Sequence, residues 1–188
     1  MRNYSIGGVK VILQICGGVY DPSDDTFLVM DHALPHGKIL EMGTGSGIIS
    51  IYFSLKGFNV LGVDINPNAV ECAKSNANIN QCHAEFRQSD LFSNVSETFD
   101  TIIFNPPYLP TEDNFPGSEQ WDGGPDGFHL IRAFLCEFKE HLNAGGNAFL
   151  VLSSFTDIDG LMREFAEISF QNVGSVSFPF ETLFLYRV

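Results

Sequence analysis

The type of fold is indicated by one stretch in which an apolar run leads directly into a loop with three glycines, Lys38-Ile-Leu-Glu-Met-Gly-Thr-Gly-Ser-Gly47. Glycines let the backbone turn sharply and let a ligand approach the chain closely. A helical pattern, Ile48–Leu55, follows at once, so we predict a strand, a glycine loop and a helix. The spacing G-x-G-x-G departs from the G-x-G-x-x-G of dinucleotide-binding proteins, and no phosphate loop ending in Gly-Lys-Ser/Thr is present.

Short apolar runs and helical patterns alternate on both sides of this stretch. The predicted strands are Lys38–Met42, Asn59–Ile65, Ala84–Gln88, Thr101–Phe104, Asn147–Ser153, Ser175–Phe180 and Leu183–Arg187. The predicted helices are Asp25–Leu34, Ile48–Leu55, Asn66 to about Ala77, Phe128–Leu142 and Asp157–Ser169. This alternation predicts an α/β fold with a doubly wound, mostly parallel sheet of seven strands. Only a short link separates the last two strands, so they should form an antiparallel hairpin at one edge.

The length of 188 residues fits one domain, which we assign to residues 19–188. Residues 1–18 are an N-terminal extension, either an added edge strand or an interface. No run approaches 18 apolar residues, so we expect no membrane span and read no signal peptide. The four cysteines include no C-x-x-C pair. We therefore expect no metal site, and reduced, mostly buried thiols in a cytoplasmic protein.

Acidic residues stand at the ends of three predicted parallel strands. These are Glu41, Asp64 and Asp90, and the carboxyl ends of such strands face one crevice. Asp64 has the spacing of a ribose-binding carboxylate, and Asp90 can accept a hydrogen bond from an adenine amino group. Carboxylates suit a cationic ligand and are awkward beside a pyrophosphate. S-adenosylmethionine, with its ammonium and sulfonium and no phosphate, therefore fits this site better than NAD does.

Phe99-Asp-Thr-Ile-Ile-Phe-Asn-Pro-Pro-Tyr108 delivers Asn105 to the same edge of the sheet, and two prolines then stiffen the backbone. An amide or exocyclic amine is a weak nucleophile because its lone pair is delocalised, so it needs alignment more than a strong base. The Asn105 side-chain carbonyl and the Pro106 backbone carbonyl can each accept one N–H. Tyr108 can pack on the planar group and exclude water. These three residues are the predicted catalytic set.

Together these motifs resemble the class I S-adenosylmethionine-dependent methyltransferases that modify planar nitrogens. Two further segments are similar to the short, eukaryotic and archaeal HemK-like branch. They are Val19-Tyr-Asp-Pro-Ser-Asp-Asp-Thr-Phe27 and Trp121-Asp-Gly-Gly-Pro-Asp-Gly127. The resemblance runs from about Val19 to the C-terminus, ending in Glu181-Thr-Leu, and implies a Rossmann-like fold.

The resemblance also implies an activity: that branch methylates the glutamine amide in the Gly-Gly-Gln loop of class I translation release factors. Asn105, Pro106 and Tyr108 would hold the glutamine. A small zinc-binding activator subunit is an implied partner. The implied cofactor-binding residues are Thr26, Glu41, Gly43, Gly45, Asp64, Asp90, Leu91 and Asn105.

Charge separates the leading hypothesis from its rivals. The chain has 10 Lys and Arg against 23 Asp and Glu, a net charge of −13. A protein that follows a phosphate backbone needs clustered cations, so we expect no direct binding of nucleic acid. The main alternative, an adenine-N6 or guanine-N2 methyltransferase on DNA or RNA, would need such a surface. Methylation of small amines or protein lysine is a weaker alternative, as is a methylase fold retained only as a binding scaffold.

Overall fold

A seven-stranded sheet organises the computed structural model, which describes residues 1–109 and 123–188. The strands are β1 Arg2–Ile6, β2 Val9–Leu13, β3 Lys38–Met42, β4 Asn59–Asp64, β5 Glu85–Gln88, β6 Phe99–Phe104, β7 Leu142–Ser153, β8 Gln171–Ser177 and β9 Thr182–Arg187. The helices are α1 Asp24–His32, α2 Ile48–Leu55, α3 Pro67–Asn80, α4 His129–Glu137 and α5 Ile158–Glu164, with a 3-10 helix at Phe138–His141. No helix in the described ranges is long and apolar enough to cross a membrane.

The strand order in the large sheet is β5-β4-β3-β6-β7-β9-β8. Strands β3 to β7 are parallel, and β9 runs antiparallel to both β7 and β8. This arrangement confirms the predicted doubly wound sheet with its antiparallel edge hairpin. From β3 the chain builds outward to β5 on one side and then returns to β6 on the other. That reversal opens a crevice at the carboxyl ends of β3 and β6, where such folds bind ligands.

Two apolar clusters cover the two faces of the sheet, because successive side chains of a strand point to opposite faces. On β3, Leu40 and Met42 join one cluster and Ile39 joins the other. Helices α4 and α5 pack on the first face, while α1 and α2 pack on the second. Burial on both faces explains why the central strands read as continuous apolar runs.

The boundaries of α4 and β7 differ from the sequence prediction. The expected helix to Leu142 ends as an α-helix at Glu137 and continues only as the short 3-10 helix. Strand β7 already begins at Leu142, opposite Phe99, and the pairing resumes at Asn147 opposite Thr101. The intervening bulge contains Gly145 at φ +80°, a conformation that glycine adopts without steric cost.

Residues 2–13 form a separate two-stranded hairpin rather than an added strand at the edge of the large sheet. Val11 and Leu13 are fully buried against α2 and α3. Asn80 of α3 pairs with the backbone of Ile12, accepting from its N–H at 2.8 Å and donating to its carbonyl at 2.7 Å. Asn76, one turn earlier, accepts from the N–H of Gln14 at 2.7 Å. The side-chain amides of Asn76 and Asn80 thus form hydrogen bonds with the backbone of residues 12 and 14 that a neighbouring strand would otherwise form.

A disulfide joins Cys16 to Cys72, so the expectation of four reduced thiols is wrong for this pair. The two cysteines are 56 residues apart, and they meet only because the hairpin packs on α3. Cys82 is half-buried and Cys136 is exposed, so the free thiols are not fully buried either. Sequence spacing contained no sign of this pairing. The Trp121 part of the glycine-rich segment lies outside the described residues.

Candidate functional site

A cavity of about 810 Å³ opens at the carboxyl ends of β3, β4, β5 and β6. All ten residues predicted for the site line it: Thr26, Glu41, Gly43, Gly45, Asp64, Asp90, Leu91, Asn105, Pro106 and Tyr108. Four carboxylates, counting Asp25, stand in its wall. Among the described lining residues there is no lysine, arginine or histidine. The cavity is therefore electrostatically suited to a cation and unsuited to a phosphate.

Glu41 ends β3 deep in the wall, with only 3% of its surface exposed. Its Oε2 accepts hydrogen bonds from the Thr44 hydroxyl at 2.7 Å, from the Ser50 N–H at 2.9 Å and from the Ser50 hydroxyl. Burial nevertheless dominates and raises the pKa of Glu41 to about 7. The fixed donors orient the Glu41 carboxyl, and an approaching cation would favour its ionised form.

Asp64 ends β4 and ties the glycine loop to the next helix. Its Oδ2 accepts from the Gly45 N–H at 2.8 Å, and its Oδ1 accepts from the Asn66 N–H at 2.9 Å. Asn66 caps α3 by accepting from the Asn68 N–H at 2.9 Å, and Pro67 occupies the first helical position. Burial raises the pKa of Asp64 above its usual value, partly offset by these two backbone donors.

Asp90 and Leu91 follow β5, the strand next to β4, and both line the cavity. The Ser89 N–H donates to the Asp64 carbonyl at 2.9 Å, which fixes this loop beside β4. Asp90 is exposed at the rim, and Leu91 adopts the left-handed conformation at φ +43°. A left-handed non-glycine residue is uncommon, and here the Ser89 hydroxyl holds it by donating to the Leu91 carbonyl at 2.7 Å. The strand end thereby presents a carboxylate next to an apolar side chain.

Asn105 directly follows β6, and it is held by a carboxylate that was predicted only as the start of a helix. Its Nδ2 donates to Oδ2 of Asp25 at 3.0 Å. Its Oδ1 is buried, and no donor from residues 1–109 or 123–188 reaches it. A buried acceptor without a partner is costly, and at a binding site it indicates a position for a ligand donor. The oxygen of Asn105 is thus left for a substrate N–H.

Asp25 is itself 4% exposed and is surrounded by donors. The Tyr20 hydroxyl donates to both of its oxygens at 3.0 and 3.1 Å, and the Thr26 N–H donates at 2.6 Å. Burial, followed by the charge of Asp25, raises the pKa values of Tyr20 and Tyr108. Both phenols therefore stay neutral and keep their protons.

Neither Asp25 nor Tyr20 was among the residues predicted for the site, although both lie in the Val19–Phe27 segment that resembles the HemK-like branch. An acidic residue within a helix start reads as a cap or as a partner of the helix dipole. Only the approach of α1 to the end of β6 reveals that Asp25 reaches Asn105. The sequence contains both the Val19–Phe27 segment and the Asn-Pro-Pro-Tyr motif, and their joint presence was the one available indication. The hydrogen bond between Asp25 and Asn105 could not be inferred from it.

Comparisons with known proteins agree with this architecture. The family described as "Methyltransferase small domain" matches residues 20–176. A protein of Methanocaldococcus jannaschii named "Putative protein N5-glutamine methyltransferase MJ0928" is 37% identical over 191 residues, covering 95% of this chain and 94% of that protein. "Methyltransferase HEMK2" of Homo sapiens is 33% identical over 152 residues, which is 71% of each chain.

Longer and more distant proteins also match. "Release factor glutamine methyltransferase" of Haemophilus influenzae is 33% identical over 122 residues, 54% of this chain and 42% of that protein, so the match spans less than half of its length. Among solved structures, a 16S rRNA N2 G1207 methyltransferase of T. thermophilus superimposes with a TM-score of 0.68, at 19% identity, over 98% of this chain and 49% of that one. This likeness confirms the Rossmann-like fold. With a match over residues 20–176 and a near-full-length relative at 37% identity, this chain belongs to the methyltransferase small domain family.

Proposed function

We propose that this protein transfers a methyl group from S-adenosylmethionine to the side-chain amide of the glutamine in the Gly-Gly-Gln loop of a class I translation release factor. The observation that carries the proposal is the orientation of Asn105. Its nitrogen is occupied by Asp25, and its buried oxygen has no donor from the described residues. A primary amide has two N–H groups, of which Oδ1 of Asn105 accepts one and the Pro106 carbonyl accepts the other.

The cofactor fits the cavity by charge. When bound, S-adenosylmethionine supplies an electrophilic methyl group on a sulfonium. Four carboxylates and no cation among the described lining residues favour its positive groups. In this assignment Asp64 binds the ribose hydroxyls and Asp90 the adenine amino group, while Glu41 neutralises positive charge from its buried position. Thr26, Gly43, Gly45 and Leu91 complete the pocket.

The residues of this chain accelerate the reaction by alignment. Asn105 and Pro106 fix the plane of the substrate amide, so that its nitrogen meets the methyl group along one direction. Tyr108, whose phenol stays neutral, packs on that plane and excludes water. The N–H protons of the methylated nitrogen are strongly acidic, so one leaves along its hydrogen bond to the Asn105 or Pro106 carbonyl and reaches bulk water when the product departs, and no strong base is needed.

A protein substrate is consistent with the charge of −13, because a release factor loop requires no basic groove. The relatives named for glutamine methylation support the same substrate class. We place the reaction in the cytoplasm, where translation ends. The small zinc-binding activator implied by the HemK-like resemblance is part of the proposal, and the test therefore includes it.

The test is transfer of labelled methyl from S-adenosylmethionine to a purified release factor, with and without candidate zinc-binding activators. We expect label on the wild-type factor and none on a factor whose Gly-Gly-Gln glutamine is replaced by alanine. Equal labelling of both factors would contradict the assignment. Label on added DNA or RNA instead would establish the nucleic-acid alternative.

A variant of the chain tests the role of Asn105. Asn105→Ala removes the acceptor, so turnover should fall by orders of magnitude while the affinity for S-adenosylmethionine stays largely intact. Single-turnover rates and calorimetry measure the two quantities separately. Unchanged turnover would remove Asn105 from the mechanism.

A further inference from the structure

Three exposed phenylalanines lie at the edge of the sheet that carries the site. We call Phe155, Phe178 and Phe180 the aromatic rim. Their side chains are 51%, 38% and 90% exposed. Scattered exposed apolar residues are common, but a group of large aromatic side chains at one place marks an interaction surface.

The rim is built from two loops that are hydrogen-bonded to each other. The Ser154 N–H donates to the Thr182 carbonyl at 2.9 Å, and the Thr182 N–H donates to the Ser154 hydroxyl at 2.8 Å. The Phe178 N–H donates to the Glu181 carbonyl at 2.7 Å, which closes the turn between β8 and β9. These hydrogen bonds fix the backbone of the two loops from which the partly exposed aromatic side chains project.

A second, smaller cavity lies between Phe178 of the rim and the candidate active site. Its volume is about 220 Å³, and Phe178 and Leu183 line it together with Asp25 and Tyr108, which also line the large cavity. A polypeptide that presents a side chain to Asn105 therefore has the rim directly beside its path. Continuity with the methyl-transfer site indicates that the substrate, rather than a separate partner, covers this surface.

The charge around the second cavity defines the chemistry of that polypeptide. Asp24, Asp25 and Glu181 line it, and none of its described lining residues is a lysine, arginine or histidine. A segment with basic side chains is therefore attracted to this side of the site, and an acidic one is repelled.

We propose that the aromatic rim and the second cavity bind the polypeptide that flanks the target glutamine, through one apolar and one basic side chain. This inference rests on the proposed function and adds its specificity determinant. The aromatic rings supply apolar contact, while Asp24 and Glu181 select for positive charge. Together they let the enzyme distinguish one glutamine-containing loop from another.

The test compares Phe155→Ala/Phe180→Ala with the wild-type chain, and Leu34→Ala is the matched control. Leu34 is a large apolar residue that is 81% exposed, as Phe180 is exposed. It follows the C-terminal end of α1, whereas Asp24 and Asp25 of the second cavity are at the N-terminal end of that helix. We expect the double variant to raise the KM for the release factor at least tenfold. Its kcat, its affinity for S-adenosylmethionine and its melting temperature should not change, and Leu34→Ala should match the wild type. An unchanged KM in the double variant would overturn the proposal.

Synthetic peptides test the charge preference. A Gly-Gly-Gln peptide flanked by lysine and leucine should have a KM at least tenfold lower than one flanked by glutamate and serine, and Asp24→Asn should narrow this difference. Equal KM values for the two peptides would overturn the assignment. If the wild-type chain labels neither release factor nor peptide, the proposed function fails as well. If the wild type labels the release factor and the rim variants do so with the same KM, only the role of the aromatic rim is contradicted and the proposed function stands.

Discussion

Nδ2 of Asn105 donates to Oδ2 of Asp25 at 3.0 Å, and this contact determines which way the Asn105 amide faces. The Asp25 oxygen accepts this hydrogen bond, so it meets the nitrogen of the amide and not its oxygen. Oδ1 is then left as the acceptor that a substrate N–H requires. Asp25 is therefore a positioning residue that acts through Asn105.

Asp25→Asn should lower kcat at least a hundredfold, because an amide at position 25 can also donate and no longer fixes the orientation of Asn105. The loss is comparable to that of one aligned hydrogen-bond partner at a reacting centre. Affinity for S-adenosylmethionine should fall much less than kcat, because Glu41, Asp64 and Asp90 remain in the wall of the cavity. Parallel measurement of kcat and of cofactor binding by calorimetry separates the two effects.

The control for that substitution is Asp31→Asn, an exposed position on the same helix. It should leave both kcat and cofactor affinity at wild-type values. If Asp25→Asn keeps the wild-type kcat, the orientation of Asn105 does not depend on this contact.

The sequence predicted the doubly wound sheet and its edge hairpin, because buried parallel strands leave continuous apolar runs such as Thr101–Phe104. Strand ends and the glycine loop have local signatures, and the family resemblance added Thr26 and Leu91; all ten residues predicted in these two ways line the cavity. It missed the contacts that depend on packing between distant elements. Asp25 to Asn105 spans 80 residues, and Asn80 to Ile12 spans 68. Contacts between residues so far apart follow no regular sequence spacing, so neither pair could be predicted from the sequence.

The stability of the ligand-free protein should fall as pH rises from about 4.5 to about 7, because of Glu41. Its folded-state pKa is raised to about 7, so in this window the folded chain binds a proton that the unfolded chain releases. The contribution is about 3 kcal/mol at most. Urea unfolding at pH 5 and pH 8 should show a smaller pH dependence in Glu41→Gln. Identical dependences in the two proteins would contradict the buried-carboxyl assignment.

Binding of S-adenosylmethionine should strengthen with pH across the same range. The positive ligand favours the ionised form of Glu41, and below about pH 7 part of the binding energy is used to remove its proton. Calorimetry from pH 5 to pH 7 should show affinity rising in the wild type. The affinity of Glu41→Gln should be weaker and nearly constant in pH. A wild-type affinity that falls with pH would exclude Glu41 as the neutralising group.

Asp64→Ala should weaken the affinity for S-adenosylmethionine by about 1–3 kcal/mol, through the loss of hydrogen bonds to the ribose. The same change also frees the N–H groups of Gly45 and Asn66, so the glycine loop loses its anchor. Asp64→Asn retains an acceptor for one of these donors and should lose less affinity than alanine. Calorimetry that finds wild-type affinity in Asp64→Ala would contradict the ribose assignment.

The disulfide between Cys16 and Cys72 should stabilise both the fold and the cofactor pocket. It closes a loop of 56 residues, and removing such a link costs about 2–4 kcal/mol. Gly18 and Val19, which follow Cys16, line the large cavity, and the Asn66 side chain donates to the Gly18 carbonyl at 3.2 Å. Cys16→Ser should therefore lower both the melting temperature and the affinity for S-adenosylmethionine. Cys136→Ser, which removes an exposed free thiol, should change neither.

Reduction by dithiothreitol provides an independent test of the disulfide. In the wild type it should lower the melting temperature and the cofactor affinity as Cys16→Ser does, and in the Cys16→Ser variant it should have no effect. Equal sensitivity of the two proteins to dithiothreitol would refute the stabilising role of the Cys16–Cys72 disulfide.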